Sequence, residues 1–139
     1  MTGRLRLGKP IILGVEDDPD TSSLLHMYFT GLDYEIVVTA RGQEGIELAQ
    51  TRFPDLVLLD VNLPDINGNV VCETLRNSPR TSHIPVVMLS GEEATAAKVA
   101  GFAKGANDYI VKTCSREELC ARVRNYLRLK LLQDELRRK

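Results

Sequence analysis

The sequence predicts a single three-layer α/β domain built on a parallel sheet, and two observations carry this prediction. Five short segments rich in apolar residues alternate with segments of helical pattern, and the connections between them are short. Three of the five segments are continuous hydrophobic runs, which is typical of strands covered by helices on both faces. Repetition of strand and helix in this way gives parallel strands joined by right-handed crossovers. Spacing alone does not define the order of the strands.

The strand predictions follow from apolar runs that end at polar or turn-forming residues. The first, third and fourth predicted strands are the uninterrupted runs. In chain order the predicted strands are Ile11–Val15, Glu35–Thr39, Asp55–Leu59, Val86–Leu89 and Tyr109–Val111.

Helical segments follow each of these strands. The last helix begins at Ser115, whose hydroxyl can cap it, and Glu118 stands three residues on, as in a capping box. The preceding predicted helices are Thr21–Gly31, Gln43–Arg52, Asn69–Asn77 and Ala94–Lys104.

Composition excludes several functional classes. With 139 residues, 43% of them hydrophobic, the chain is large enough for one packed domain. A net charge of −1 gives no positive field that would favour nucleic acid or an anionic membrane. No signal peptide or membrane-length apolar stretch is present, and Cys72, Cys114 and Cys120 show no C-x-x-C spacing. These features favour a reduced, cytoplasmic protein.

The chain divides into three predicted parts. Residues 1–10 form a short basic N-terminal lead, residues 11–127 form the domain, and residues 128–139 form a helical extension. Leu129, Leu132 and Leu136 recur at i, i+3 and i+7 in that extension, as in a short coiled-coil seam. The seam favours a helix that leads towards an output domain or contacts a second copy. The alternative is a helix end that folds back on its own domain.

A different polar group follows each of four strands. Glu16 and Asp17 follow the first strand, Asp60 the third, Ser90 the fourth and Lys112 the fifth. Ligands of open parallel sheets bind beyond the carboxyl ends of the strands, so these groups predict one acidic pocket. Clustered carboxylates repel one another unless a cation lies among them, and Mg²⁺ (or Mn²⁺) suits such donors.

The same groups suit phosphoryl transfer. A carboxylate can attack phosphorus to give an aspartyl phosphate, and the reaction needs mainly positioning and charge neutralisation. Lys112 can neutralise one phosphoryl oxygen, and the Ser90 hydroxyl can hydrogen-bond another.

From about Pro10 to Leu127 the chain resembles the receiver domain of two-component response regulators. The matching stretches are Ile11 to Pro19, Asp60 to Gly68, Val86 to Gly91 and Asp108 to Lys112. The resemblance implies a single flavodoxin-like (βα)5 domain with a parallel five-stranded sheet of order 2-1-3-4-5, followed here by an extended C-terminal helix.

The resemblance also implies roles for individual residues. Asp60 would be the phosphoacceptor, Asp17 a direct metal ligand, Glu16 the holder of a metal-bound water, and the backbone carbonyl of Asn62 a further ligand. A sensor histidine kinase or phosphotransfer protein would donate the phosphoryl group. Such a domain is not an enzyme, apart from catalysing its own phosphorylation and dephosphorylation.

A switch is implied as well. Ser90 would move towards the phosphoryl group and Tyr109 would turn inward, repacking the face of the fourth helix, fifth strand and fifth helix. Asn62 and Glu92 occupy the two positions that tune phosphoryl lifetime, and this pair is similar to that of fast-cycling chemotaxis receivers. We therefore expect a short-lived phosphorylated state.

The chain departs from the family pattern at two places. Thr113 stands where the family has proline after its lysine, and a trans Lys112–Thr113 bond is expected because a cis bond without proline costs about 2.5–4 kcal/mol. Some receivers dimerise through charge pairs on the switching face. Lys98 and Glu118 match one pair, but Lys104 stands where Arg122 would need an acidic partner, so that dimer is only partly encoded.

Two rival functions remain at the level of sequence. A haloacid-dehalogenase-like phosphatase needs an aspartate two residues after its nucleophile, where this chain has Asn62. A pseudo-receiver would keep the fold and bind partners without phosphorylation, and Thr113 is the main feature in its favour. No helix-turn-helix pattern is present, so no nucleic-acid partner or membrane contact is expected of this chain.

Overall fold

Five parallel strands form the centre of the protein. A computed structural model describes residues 8–91 and 104–137. Its strands are β1 (Ile11–Val15), β2 (Glu35–Thr39), β3 (Leu56–Asp60), β4 (Val86–Ser90) and β5 (Asp108–Val111). They pair in the order β2-β1-β3-β4-β5, and every pairing is parallel. The predicted fold class and strand order are confirmed.

Four helices are described around this sheet. They are α1 (Pro19–Thr30), α2 (Gly42–Arg52), α3 (Gly68–Arg76) and the C-terminal helix (Arg116–Arg137). The predicted helix Ala94–Lys104 lies almost wholly outside the described residues, as do Glu92, Lys98 and most of the N-terminal lead.

Local capping explains where two helices begin. The Asp18 carboxylate accepts a hydrogen bond from the Thr21 amide at 3.1 Å, and Pro19 occupies the first turn, so α1 starts two residues before the predicted start at Thr21. The Ser115 hydroxyl accepts from the Glu118 amide at 3.0 Å, which is the predicted cap of the C-terminal helix.

The core has one layer on each face of the sheet. On one face Val57, Leu59 and Met88 pack with residues of α2 and α3. On the other face Leu58 and Val87 pack with residues of α1 and the C-terminal helix. Since β1, β3 and β4 are covered on both faces, their uninterrupted apolar runs follow directly, and full burial of each large side chain contributes about 1.5–3 kcal/mol.

The C-terminal helix stays attached to the domain beyond Leu127. Lys130 is only 3% exposed, and its ammonium lies 3.5 Å from Oδ1 of the fully buried Asp55 and 2.7 Å from Oδ2 of Asp134. Oδ2 of Asp55 accepts the Ile11 amide at 2.8 Å. The first turn of the extension is therefore in contact with its own domain at Lys130, and the same helix continues uninterrupted to Arg137.

The opposite side of the same helix is open. The residues of the predicted seam are exposed: Leu129 by 52%, Leu132 by 57% and Leu136 by 72%. The helix thus combines a contact with its own domain and an apolar stripe that faces outward. Within the described ranges, none of the helices has both the length and the apolar character needed to cross a membrane.

Candidate functional site

The polar groups predicted from sequence meet at the carboxyl edge of the sheet. Asp60 is the last residue of β3 and lies beside Leu89, and Ser90 ends β4. The Ser90 carbonyl accepts the Lys112 amide at 2.7 Å, and the Leu89 carbonyl accepts the Val61 amide at 3.1 Å. These backbone bonds hold the chain beyond β3 and β5 against the end of β4.

Three carboxylates cluster here. Oxygens of Glu16, Asp17 and Asp60 all lie within 4.8 Å of one another. Glu16 and Asp60 are 1% and 3% exposed, whereas Asp17 is exposed. Among residues 8–91 and 104–137, Glu16 Oε1 is one of the buried side-chain oxygens that lack a hydrogen-bond partner. An unbonded buried carboxylate oxygen beside two further carboxylates is a donor set that fits a hard divalent cation such as Mg²⁺.

Lys112 compensates part of this charge. Its ammonium lies 3.0 Å from Glu16 Oε2 and 3.2 Å from Asp60 Oδ2. Burial acts to lower the pKa of Lys112, but the hydrogen bonds and charges of Glu16 and Asp60 outweigh it, and the net pKa is raised. Lys112 is therefore a cation at neutral pH and points between the two buried carboxylates.

The surroundings of Asp60 make its ionised form less favourable. Burial, and after it the charge of Glu16, raise its pKa from 3.8 to about 6, against the opposing effects of the Asn62 amide and Lys112. The Asn62 amide donates to Asp60 Oδ1 at 3.2 Å. In the metal-free protein the negative charge of Asp60 is costly, and a cation in the cluster would relieve that cost.

The loop between β3 and α3 is tightly closed. The Gly68 amide donates to the Val61 carbonyl at 2.7 Å, and Asn62 pairs with Asn67 in an antiparallel bridge. A Cβ atom at Gly68 would lie 2.1 Å from the Asp60 carbonyl oxygen, closer than any side chain can approach. Glycine at this position allows the loop to return directly beside the phosphoacceptor candidate.

The loop between β1 and α1 is held from three directions. The Glu16 amide donates to the Thr39 carbonyl at 2.8 Å, and the Ser22 hydroxyl donates to the Glu16 carbonyl at 3.2 Å. The Asp18 amide donates to Glu16 Oε2 at 3.0 Å. Asp18 belongs to the acidic run in the sequence, but its own carboxylate caps α1, and the hydrogen bonds from Thr21 lower its pKa.

Ser90 and Tyr109 lie on neighbouring strands. Ser90 is 6% exposed at the end of β4, and Tyr109 is 7% exposed and packs in the core layer that contains Met88 and Cys72. Burial, and after it the Cys72 thiol, raise the pKa of Tyr109. The Tyr109 side chain is thus directed inward in this structure. Asn62 is exposed at the pocket, and its proposed companion Glu92 lies outside the described residues.

Charged side chains of β5 and the C-terminal helix pair with one another within this chain. Arg122, expected to lack an acidic partner across a dimer, donates to both oxygens of Asp108 at 2.9 Å and to Glu118 at 2.9 Å in its own chain. Lys104 pairs instead with Glu73 at 3.4 Å. No peptide bond among the described residues is cis, as predicted for Lys112–Thr113.

Comparison with known proteins identifies the family. The family model described as the response regulator receiver domain matches residues 12–124. The DNA-binding dual master transcriptional regulator RpaA of Synechocystis sp. is 40% identical over 119 residues, which are 86% of this chain and 49% of that protein. The chain spans about half or less of the length of the curated relatives it matches.

Solved structures agree with this match. A putative response regulator from Chloroflexus aurantiacus has a TM-score of 0.82 and 36% identity, covering 86% of this chain and 98% of that one. The receiver domain of the sensor histidine kinase PA1611 from Pseudomonas aeruginosa, with a magnesium ion coordinated in its active site cleft, has a TM-score of 0.81. Its 23% identity, over 86% of this chain and 98% of that one, shows a shared fold.

Proposed function

This chain belongs to the family of response regulator receiver domains, which are signal-transduction modules of two-component systems, and from that premise we propose that Asp60 is its phosphoacceptor. One observation carries the proposal. A buried aspartate at the end of β3 lies beside two further carboxylates and one lysine ammonium. Such a grouping costs energy in a protein that uses it only as structure, because it places buried like charges together.

We propose that Glu16, Asp17 and Asp60, with the backbone carbonyl of Asn62, hold Mg²⁺ or Mn²⁺. The unbonded Glu16 Oε1 and the raised pKa of Asp60 both support a cation at this position. When bound, the cation supplies positive charge that offsets the charge of the incoming phosphoryl oxygens.

Phosphoryl transfer would use the chain's own groups as follows. An oxygen of Asp60 forms a bond to phosphorus while the bond between phosphorus and a histidine nitrogen of the donor breaks, and the electron pair stays on that nitrogen. The Lys112 ammonium, which lies 3.2 Å from Asp60, forms an ion pair with a phosphoryl oxygen and offsets its negative charge. The donor would be a sensor histidine kinase or a phosphotransfer protein.

Ser90 and Tyr109 would carry the signal away from the site. The Ser90 hydroxyl hydrogen-bonds a phosphoryl oxygen and so stabilises the inward position that Tyr109 already has in this structure, which favours one of two arrangements of the surface around β5. The nearness of the two residues, on paired strands, supports this coupling. We propose that the family's dimer can form through the face of β5 and the C-terminal helix. It requires that Arg122 and Glu118 first break the ion pair that they form with each other in this chain.

We place the domain at residues 11–127 and the helical extension at residues 128–139, leading towards an output domain. The relatives are longer than this chain, and RpaA is named as a DNA-binding transcriptional regulator. An output of that kind would lie outside the chain, because the described residues are accounted for by the receiver fold.

The phosphoacceptor is tested by labelling with a small acyl phosphate. With Mg²⁺ the wild-type chain should gain the mass of one phosphoryl group, and the Asp60→Asn variant and a chelator should each abolish the gain. Asp33→Asn, which changes an exposed aspartate in a turn, is the matched control and should label normally. Continuous release of phosphate would support a phosphatase, and an unlabelled wild-type chain would support a pseudo-receiver.

The lifetime of the phosphorylated state tests Asn62 and Glu92. If both position the attacking water, Asn62→Ala and Glu92→Ala should each slow loss of the phosphoryl group severalfold. The lifetime is followed by intact mass after the donor is removed. Slow loss in the wild-type chain, unchanged in both variants, contradicts the proposed roles.

A further inference from the structure

The N-terminus of α2 is capped from a distant loop. Arg41 occupies the N-cap position, and within the described part of the chain its side chain makes no capping hydrogen bond. The cap comes instead from Asp65, which lies in the loop between β3 and α3. Oδ1 of Asp65 accepts the Gly42 amide at 2.8 Å, and Oδ2 accepts the Gln43 amide at 2.9 Å. The hydrogen bond from Gln43, and after it the one from Gly42, lower the pKa of Asp65. The Asp65 carboxylate that caps α2 is therefore fully charged at neutral pH.

An apolar contact accompanies this polar one. A Cβ atom at Gly42 would lie 2.6 Å from Cγ1 of Ile66, so the side chain next to Asp65 rests directly on the helix backbone. Ile66 also packs against the core layer beneath α2 and α3. The tip of the loop is therefore docked on the first turn of α2 by a carboxylate and an isoleucine together.

The same turn of α2 is linked to the other side of the acidic cluster. The Thr39 hydroxyl donates to the Glu44 carboxylate, and the Thr39 carbonyl accepts the Glu16 amide at 2.8 Å. The first turn of α2 thus connects the loop that carries Asn62 with the loop that carries Glu16 and Asp17.

We propose that Asp65 is a positioning residue for the cation site: through α2 it holds the loop carrying the Asn62 carbonyl in register with Glu16 and Asp17. The proposal rests on the metal site proposed above. Because the base of the loop is closed by the Asn62–Asn67 bridge, a displacement at Asp65 reaches Asn62 without being absorbed between them.

A purely structural role for Asp65 would be to cap α2, and Arg41 allows the two roles to be separated. Arg41 has an extended backbone (φ −124°, ψ 139°), which is the conformation of a residue that caps through its own side chain. Arg41→Ser therefore supplies a local cap to α2 without restoring the connection to the loop. The double variant Asp65→Ala with Arg41→Ser keeps the net charge of the wild-type chain.

The experiment compares wild type, Asp65→Ala, Arg41→Ser and the double variant by thermal unfolding, Mg²⁺ titration in a calorimeter, and amide hydrogen exchange. We expect Asp65→Ala to lower the melting temperature and to weaken Mg²⁺ binding about tenfold. In the double variant the melting temperature should recover, while Mg²⁺ binding stays weak. In metal-free protein the amides of residues 61–67 should exchange faster in both variants that lack Asp65.

Recovery of both stability and Mg²⁺ affinity in the double variant would overturn the proposal and leave Asp65 as a helix cap. Unchanged affinity and exchange in Asp65→Ala would overturn it as well, with the metal site intact. A wild-type chain that takes up no Mg²⁺ would overturn the metal site and this role together. If Asp65→Ala fails to fold, Asp65→Asn, which keeps one acceptor oxygen, serves in the same comparison.

Discussion

At the residue scale, Asp60 combines burial with a nearby like charge, and both make its ionised form unfavourable. Its pKa is about 6 in the folded chain, against an ordinary value of 3.8. Between these two values the folded chain binds more protons than the unfolded chain, so the free energy of unfolding falls as pH rises through this window. Above this pH window the folded chain is less stable because it carries the buried negative charge of Asp60.

Removing this charge should stabilise the metal-free protein. We expect Asp60→Asn to raise the free energy of unfolding by about 1–3 kcal/mol at neutral pH, with the gain disappearing below pH ~4, where the wild-type carboxyl is protonated in both states. Urea unfolding at several pH values, without Mg²⁺, measures the difference. A gain that is equal at all pH values would mean that packing, and not charge, is responsible.

Lys112 offsets the same carboxylates from the other side. Lys112→Ala should lower the free energy of unfolding by about 1–3 kcal/mol without Mg²⁺, because Glu16 and Asp60 lose the cation that lies 3.0 and 3.2 Å from them. Mg²⁺ should then stabilise this variant more than wild type, since the ion meets no competing ammonium.

The matched control for Lys112 is Lys104→Ala. Lys104 forms an exposed ion pair with Glu73, so its loss should change stability by less than about 0.5 kcal/mol with or without Mg²⁺. Urea unfolding measures these free energies. If Mg²⁺ raised the free energy of unfolding equally in wild type and Lys112→Ala, the ion would not compete with the Lys112 ammonium for Glu16 and Asp60.

At the element scale, the C-terminal helix is tied to the sheet by a buried charge. Lys130→Met keeps most of the apolar stem and removes the ammonium from the fully buried Asp55, which should cost about 3–5 kcal/mol. Asp134→Asn is the control, because it weakens the pair at its more exposed end and should cost about 1 kcal/mol. Both are measured by urea unfolding followed by circular dichroism. A loss below 1 kcal/mol in Lys130→Met would show that Asp55 is satisfied without the lysine.

The boundaries of the elements could be predicted well where the signal is local. The strands follow from uninterrupted apolar runs, and the C-terminal helix starts where Ser115 predicts it. Long-range contacts carry no such signal. Lys130 has the sequence setting of a solvated helix residue, and its partner Asp55 lies 75 residues away. Asp65 caps a helix that begins 23 residues before it, so the sequence around Arg41 does not indicate which residue caps α2.

The candidate site was predictable for a related reason. Parallel strands bring their carboxyl ends to one edge, so topology alone places Asp60, Ser90 and Lys112 together. The hydrogen bonds that aim them could not be predicted, because they depend on loop closure. The return of Gly68 beside the Asp60 carbonyl is one example. Likewise, the resemblance to the family showed only that Arg122 has no acidic partner across a dimer, and its pairing with Asp108 in its own chain could not be predicted.

At the scale of the whole molecule, the exposed leucine seam predicts self-association. Three leucines on one side of a helix form an apolar stripe that a second copy of the helix can cover. We expect a monomer–dimer equilibrium in sedimentation velocity. Replacing Leu132 and Leu136 by Lys should return the chain to monomer at all concentrations.

Leu131→Lys is the matched control for the seam. Leu131 is 47% exposed on another side of the helix, so its replacement should leave the equilibrium unchanged. A wild-type chain that stays monomeric at high concentration would contradict the helical dimer contact and favour the extension as a lead towards an output domain.

The two buried aspartates that flank Leu56–Leu59 have a consequence for how β3 finds its alignment. Both faces of this run are apolar, so hydrophobicity alone would tolerate a slip of the strand past β1 and β4. Asp55 and Asp60, about 16 Å apart at the rise of an extended chain, each meet a lysine from a different part of the molecule. A shift of one residue would bury one of the two carboxylates among apolar side chains. It would also separate both carboxylates from their lysine ammonium groups. The charged ends act as stops, and sliding of the central strand is blocked in both directions.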